Sequence, residues 1–303
     1  MEASEAEGRA NQMKFDIFRK PPASYGIVSI DCGALNDILG VLYLNFIIMD
    51  MKDVISFETI NGKNIFTIFS ESDPSSKNLV IMNHGFKGNS TGASRTFVNF
   101  SRLLISHGIS ALRFDQPNSG NSEGDFIDSS FGEWVDTTVY FAKKYLDQGY
   151  NVALLGHSMG ANSALTATFR AEIRDKISCL LLWAPDPKSN PADWFIKESK
   201  RIIEKNNVYE ETGQRFKASF WQEVHDADFF NCLNKYNGRI HLVYGENDKF
   251  VSSKLRDKVI LEVRNKKQSV TILKGQDHAF WDYDVCEQVY HNELELLKNI
   301  FPL

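Results

Sequence analysis

Apolar residues recur along this chain in two rhythms. Short dense runs read as strands, and longer stretches with apolar positions every third or fourth residue read as helices. The strand-like runs are Val54–Thr59, Asn64–Phe69, Leu79–Asn83, Ser110–Phe114, Val152–Leu155, Ile177–Trp183, Ile240–Tyr244 and Ser269–Leu273. From the third run onward, helix-like segments mostly separate them: Ser94–Ser106, Phe131–Gln148, Ala161–Ala171, Ser252–Val263 and Asp284–Ile300. That alternation predicts an α/β architecture, a mostly parallel eight-stranded sheet with helices on both faces. Asn61-Gly62 between the first two runs is a hairpin signal, so the sheet should open with an antiparallel pair. Wholly apolar runs such as Leu180-Leu181-Leu182-Trp183 suit its buried centre.

Two stretches break the rhythm. From Ala184 to Gly238 no strand is expected, and the segment is far longer than an ordinary connection. It carries Trp194, Phe195, Phe216, Phe220, Trp221, Phe229 and Phe230, and its run Asp193–Lys205 is strongly charged. It reads as an inserted helical cap over one rim of the sheet, or as a helical insertion packed on the sheet's side. The other stretch is residues 1–50. Met1–Ala10 is small and acidic without an apolar h-region, so it does not read as a signal peptide. Ile38–Met49 is apolar, but it is too short to span a bilayer and is bounded by Asp37 and Asp50. It reads as a covering strand, a membrane-surface contact or a partner-binding segment. The expected organisation is an N-terminal extension at 1–50 and one domain at 51–303, with the insert at 184–238.

Net charge is −5, with acids and bases interspersed, which argues against nucleic acid and anionic membranes as partners. The four cysteines, Cys32, Cys179, Cys232 and Cys286, lack metal-like pairing. Together with the absence of a secretory signal, this fits reduced thiols in a cytoplasm.

The chemistry concentrates at Gly156-His157-Ser158-Met159-Gly160, between the apolar run Val152–Leu155 and a helix-like stretch. Strand, G-x-S-x-G, helix is the context of a nucleophile elbow, in which the glycines permit a turn that lifts the serine clear of the sheet. About 0.1 such pentapeptides occur by chance in a chain of this length, so the motif needs partners before it means anything.

A serine hydroxyl needs an imidazole base. Of the seven histidines, His157 adjoins the serine and should point away from it. His241 lies in a strand, His107 closes a helix, and His291 and His225 lie in polar helical stretches. His278 follows the last strand in the polar loop Lys274–His278, where open α/β sheets place their chemistry. The acid follows the same logic: Asp248 ends the turn Gly245-Glu246-Asn247-Asp248 after another strand, with Glu246 as the alternative. Such an acid accepts the imidazole Nδ1–H and fixes the tautomer. An oxyanion hole needs backbone donors. Met159 is one candidate, and Phe86 in the loop His84-Gly85-Phe86 is the other, with His84 bracing that loop.

These motifs resemble those of the α/β-hydrolase superfamily of serine hydrolases. The likeness is nearest to cinnamoyl and feruloyl esterase-like carboxylesterases and to serine aminopeptidase-like (lipase-like) hydrolases. It rests on His84-Gly85-Phe86, Arg113-Phe114-Asp115 with Gly120-Asn121-Ser122-Glu123-Gly124, Gly156–Gly160, Gly245–Asp248 and Gly275–His278. Pro117-Asn118 departs from the Gly-His pair that many relatives carry there. The resemblance implies the α/β-hydrolase fold and a Ser158–His278–Asp248 triad without metal or organic cofactor. The implied substrate is a small-molecule carboxylic ester, with acyl thioesters (thioesterase or acyltransferase) and small peptides as alternatives. A non-enzymatic binding protein on this fold is the reading from another class. If the insert is a cap, Trp194, Phe220, Trp221 and Phe230 include the walls of an apolar substrate pocket.

Overall fold

A computed structural model describes residues 53–187, 208–211 and 213–302 of the chain. The expectations for residues 1–50, including Ile38–Met49, and for Asp193–Lys205 with Trp194, fall outside these residues.

The strands form where the apolar runs predict them, each extended by a residue or two at most: β1 (Asp53–Ile60), β2 (Lys63–Ser70), β3 (Asn78–Asn83), β4 (Ser110–Phe114), β5 (Asn151–His157), β6 (Ile177–Trp183), β9 (Arg239–Gly245) and β10 (Ser269–Leu273). They make one eight-stranded sheet in the order β1-β2-β4-β3-β5-β6-β9-β10. The β1–β2 hairpin turns at Asn61-Gly62, both with positive φ, and β2 also runs antiparallel to β4. The pairs from β4 across to β10 are parallel.

Period-2 alternation in the central strands feeds two cores. Leu79, Ile81, Leu154, Leu180, Leu182 and Leu242 face one side. Val80, Met82, Leu155, Leu181, Trp183 and Val243 face the other. Helices α1 (Thr96–Ile105) and, at the C-terminal end, Tyr283–Lys298 cover the second face. Helices α2 (Phe131–Asp147) and α3 (Met159–Ala167) cover the first, joined there by Val259 and Val263 of Ser253–Asn265. Apolar residues on both faces are what a sheet buried between helix layers requires.

The described part of residues 184–238 departs from expectation. It contains a small two-stranded antiparallel sheet, β7 (Val208–Glu211) and β8 (Gln214–Lys217), where no strand was expected. Across the hairpin Tyr209 lies opposite Phe216, and their rings stack at 5.7 Å. Helices α4 (Ala218–Asp226) and α5 (Phe229–Lys235) follow, and the C-terminal helices Ser253–Asn265 and Tyr283–Lys298 are α6 and α7.

The sheet order fixes where a ligand can bind. From β3 the chain passes through α1 to β4 on one side, and from β5 through α3 to β6 on the other. The crevice at such a switch point lies beyond the carboxyl ends of β3 and β5. The loops there are His84–Gly88 and the turn at Ser158.

Candidate active site

Ser158 sits between β5 and α3 with φ 55° and ψ −122°, a backbone conformation that L side chains rarely adopt. Two close approaches hold it there. A methyl group on Gly156 would lie 2.3 Å from the Gly160 carbonyl oxygen, and one on Gly160 would lie 2.1 Å from that of Asn83. Only glycine lets the turn close against itself and against the end of β3. The Ser158 N–H donates to the Trp183 carbonyl at 2.8 Å, tying the turn to β6.

The loop after β3 crosses directly over the serine. A methyl group on Gly85 would approach Ser158 Cβ at 3.0 Å and Oγ at 3.6 Å. His84 braces this loop, as expected from the sequence. Its Nε2 accepts from Gln116 N–H at 2.8 Å, so Nδ1 carries the proton and donates to the Gly85 carbonyl at 2.8 Å. Burial pushes its pKa down, which favours the neutral ring this arrangement requires. Asp115, fully buried after β4, ties this loop to its own: its carboxyl accepts from Ser90 N–H at 2.6 Å and from Asn121 N–H, six residues further on, at 2.7 Å. Gly120, with φ 56°, makes room, since a methyl group there would strike Asp115 Oδ2 at 2.2 Å. The Arg113-Phe114-Asp115 and Gly120–Gly124 motifs are therefore loop anchors.

His278 and Asp248 meet on the loops after β10 and β9. His278 Nδ1 lies 2.8 Å from Asp248 Oδ2, and Asp248 Oδ1 accepts from the N–H groups of Phe250 and Val251, each at 2.9 Å. The Asp248 carboxyl is fully buried, whereas the His278 side chain keeps some exposure. Glu246, the alternative acid, instead accepts from Gly275 N–H at 2.9 Å. His157 Nε2–H donates to the His278 carbonyl at 3.1 Å. Burial, reinforced by the neighbouring His278, pushes the His157 pKa down to about 4, so its ring is neutral at physiological pH.

Ser158, Met159, Phe86 and His278 line one cavity of about 570 Å³, together with Trp221, Phe250 and Phe280. The proposed pocket walls divide. Trp221 lines this cavity. Phe220 is instead buried beneath it, within 5.5 Å of the Phe86 ring and 5.2 Å of the Trp134 ring. Phe230 lines a separate cavity, with Lys258 Nζ 3.9 Å from its ring centroid. Phe86 itself is set among Phe126, Phe216, Phe220 and Trp221. Phe216, Phe220 and Trp221 thus support the loop carrying Phe86, and Trp221 adds one wall.

The comparisons with known proteins agree with this architecture. The family model described as "Serine aminopeptidase, S33" matches residues 74–213, a stretch that holds the Gly85 loop and Ser158 and ends before Asp248 and His278. No curated protein matches the chain closely enough to count as a relative. Among solved structures, Est1E from Butyrivibrio proteoclasticus with ferulic acid bound superposes with a TM-score of 0.67 at 20% identity, over 80% of this chain and 98% of its own. A soluble variant of monoglyceride lipase from Saccharomyces cerevisiae, in complex with a substrate analog, gives 0.65 at 15% identity, over 86% and 98%. Mouse alpha/beta hydrolase domain-containing protein 10 gives 0.61 at 18% identity, over 81% and 99%. The chain has the α/β-hydrolase fold, and over residues 74–213 it is similar to the serine aminopeptidase family. Among the described residues no helix is long and apolar enough to cross a membrane.

Proposed function

We propose that this α/β hydrolase is a serine esterase that cleaves a carboxylic ester through an acyl-enzyme. One observation carries the reading: the strained Ser158, under the loop of Gly85, and His278, itself paired with the buried Asp248, border the same cavity. In the first step Ser158 Oγ attacks the ester carbonyl carbon and His278 Nε2 takes its proton. The Phe86 and Met159 N–H groups hold the resulting oxyanion. The imidazolium, stabilised by Asp248, returns the proton to the departing alkoxide, and the alcohol leaves. Water then attacks the acyl-serine with His278 again as base, releasing the carboxylic acid. Every proton is returned, so no cofactor is consumed. On this reading residues 51–303 are the hydrolase domain, 184–238 its insert and 1–50 an extension.

A peptidase reading has one support of its own, the description of the family model that matches residues 74–213. A panel of p-nitrophenyl esters, acyl-CoA thioesters and aminoacyl amides separates the classes. The ester reading expects turnover of oxygen esters with a stoichiometric burst of p-nitrophenol, absent in Ser158→Ala. Turnover confined to amides or thioesters overturns it.

A further inference from the structure

We infer that Glu293, His241 and Trp183 are positioning residues that hold the three active-site loops in register, a role resting on the serine-hydrolase reading above. Helix α7 buries a regular stripe: Cys286, Val289, Tyr290, Glu293, Leu294 and Leu297. Glu293 is the charged member of an otherwise largely apolar row, and it is fully buried. Both of its carboxyl oxygens are engaged. Oε1 accepts from the Trp183 indole N–H at 2.8 Å, and Oε2 lies 2.7 Å from His241 Nδ1. His241 Nε2 in turn lies 3.0 Å from Thr271 Oγ1.

These partners stand on three neighbouring strands. Trp183 ends β6, and its carbonyl accepts the Ser158 N–H. His241 is on β9, whose following loop carries Asp248. Thr271 is on β10, whose following loop carries His278 before the chain enters α7. One buried carboxyl therefore connects the strand bracing the serine to the strands that present the acid and the base. Burial opposes charge on His241, but the neighbouring Glu293 outweighs it and raises the pKa, which favours an ion pair between the two. A buried ion pair is a poor source of stability compared with packed apolar residues of the same volume. Its use here is geometric. The backbone ladders set the register of these strands, and a fully hydrogen-bonded buried network adds directional bonds that fix one arrangement of their side chains.

The test compares Trp183→Phe, Glu293→Leu, Glu293→Gln and Leu294→Ala with the unmutated protein and Ser158→Ala. Leu294 is buried in the same core but outside the network, so Leu294→Ala controls for lost stability. The readouts are Tm, kcat and KM on p-nitrophenyl acetate, and the rate of labelling by a fluorophosphonate. Small displacements of reacting groups cost rate steeply, so Trp183→Phe and Glu293→Leu should lower kcat and labelling about tenfold or more, with KM within about twofold. Glu293→Gln keeps a hydrogen bond to each partner and should recover most of the loss. Leu294→Ala should lower Tm while leaving kcat within about twofold, because it removes packing and no directional bond. Full kcat in folded Trp183→Phe, or an equal kcat loss in Leu294→Ala, overturns the inference. Should Glu293→Leu not fold, Trp183→Phe decides alone. Turnover surviving in Ser158→Ala instead overturns the parent reading.

Discussion

Replacing Asp248 with asparagine probes the proposed acid with little change in shape. Asp248 Oδ1 accepts two backbone N–H groups, and Oδ2 faces His278 Nδ1 at 2.8 Å. An asparagine must choose which of these places its oxygen takes. If the amide nitrogen faces the two N–H groups, both donors lose their acceptor, at about 1–3 kcal/mol each. The side chain therefore keeps its oxygen there and points N–H₂ at His278. Nδ1 can then only accept, so the proton moves to Nε2 and the imidazole loses the lone pair that would take the serine proton. A wrong tautomer of this kind costs about four decades in kcat, or about 5.5 kcal/mol of transition-state stabilisation. Fold and substrate contacts are untouched, so Tm should change little and KM should hold. Steady-state kinetics with p-nitrophenyl butyrate, alongside thermal melting, measure both. A folded Asp248→Asn protein within tenfold of the original kcat would refute the reasoning.

Further predictions follow from the same geometry. Glu246→Gln, which meets Gly275 N–H and no histidine, should leave kcat within about threefold. Gly160→Ala should be severely destabilising, about 3 kcal/mol or more by calorimetry, because its methyl group meets backbone oxygen at 2.1 and 2.5 Å. Gly85→Ala should instead fold, at a cost of about 1 kcal/mol, and lose about 100-fold in kcat/KM by crowding the space beside Ser158 Oγ. His157 has a folded pKa near 4 against an ordinary value of 6.5. Its neutral ring thus contributes stability that is complete above pH 6.5 and lost as pH falls toward 4, by up to about 3 kcal/mol. Denaturant melts of His157→Asn should show a flatter pH dependence across that window, and an unchanged slope would contradict the burial argument.

Most of the sheet was legible because its strands are short, apolar and bounded by turn residues, and because helices separate them. The β7–β8 hairpin was not. Half of its eight strand residues are charged, and its aromatic pair, Tyr209 and Phe216, makes no apolar run of the kind that marks the other strands. Ser158, His278 and Asp248 could be singled out as candidates because each follows a recognisable strand, and in the structure His278 meets Asp248 and shares a cavity with Ser158. The pocket walls were harder to read. Phe220 and Trp221 adjoin on α4, where successive side chains point about 100° apart, so one lines the cavity while the other packs under Phe86. Sequence spacing alone gave no reason to choose between them. Glu293 was overlooked although its signal was present: a carboxylate at a core position of an amphipathic helix marks a buried partner.

The central claim is that Ser158 is the nucleophile. Treating the folded protein with a fluorophosphonate and mapping the adduct by peptide mass spectrometry tests it most directly. The account predicts a single stoichiometric adduct on Ser158, with loss of both labelling and esterase turnover in Ser158→Ala. An adduct on another residue, or turnover undiminished in Ser158→Ala, would contradict it.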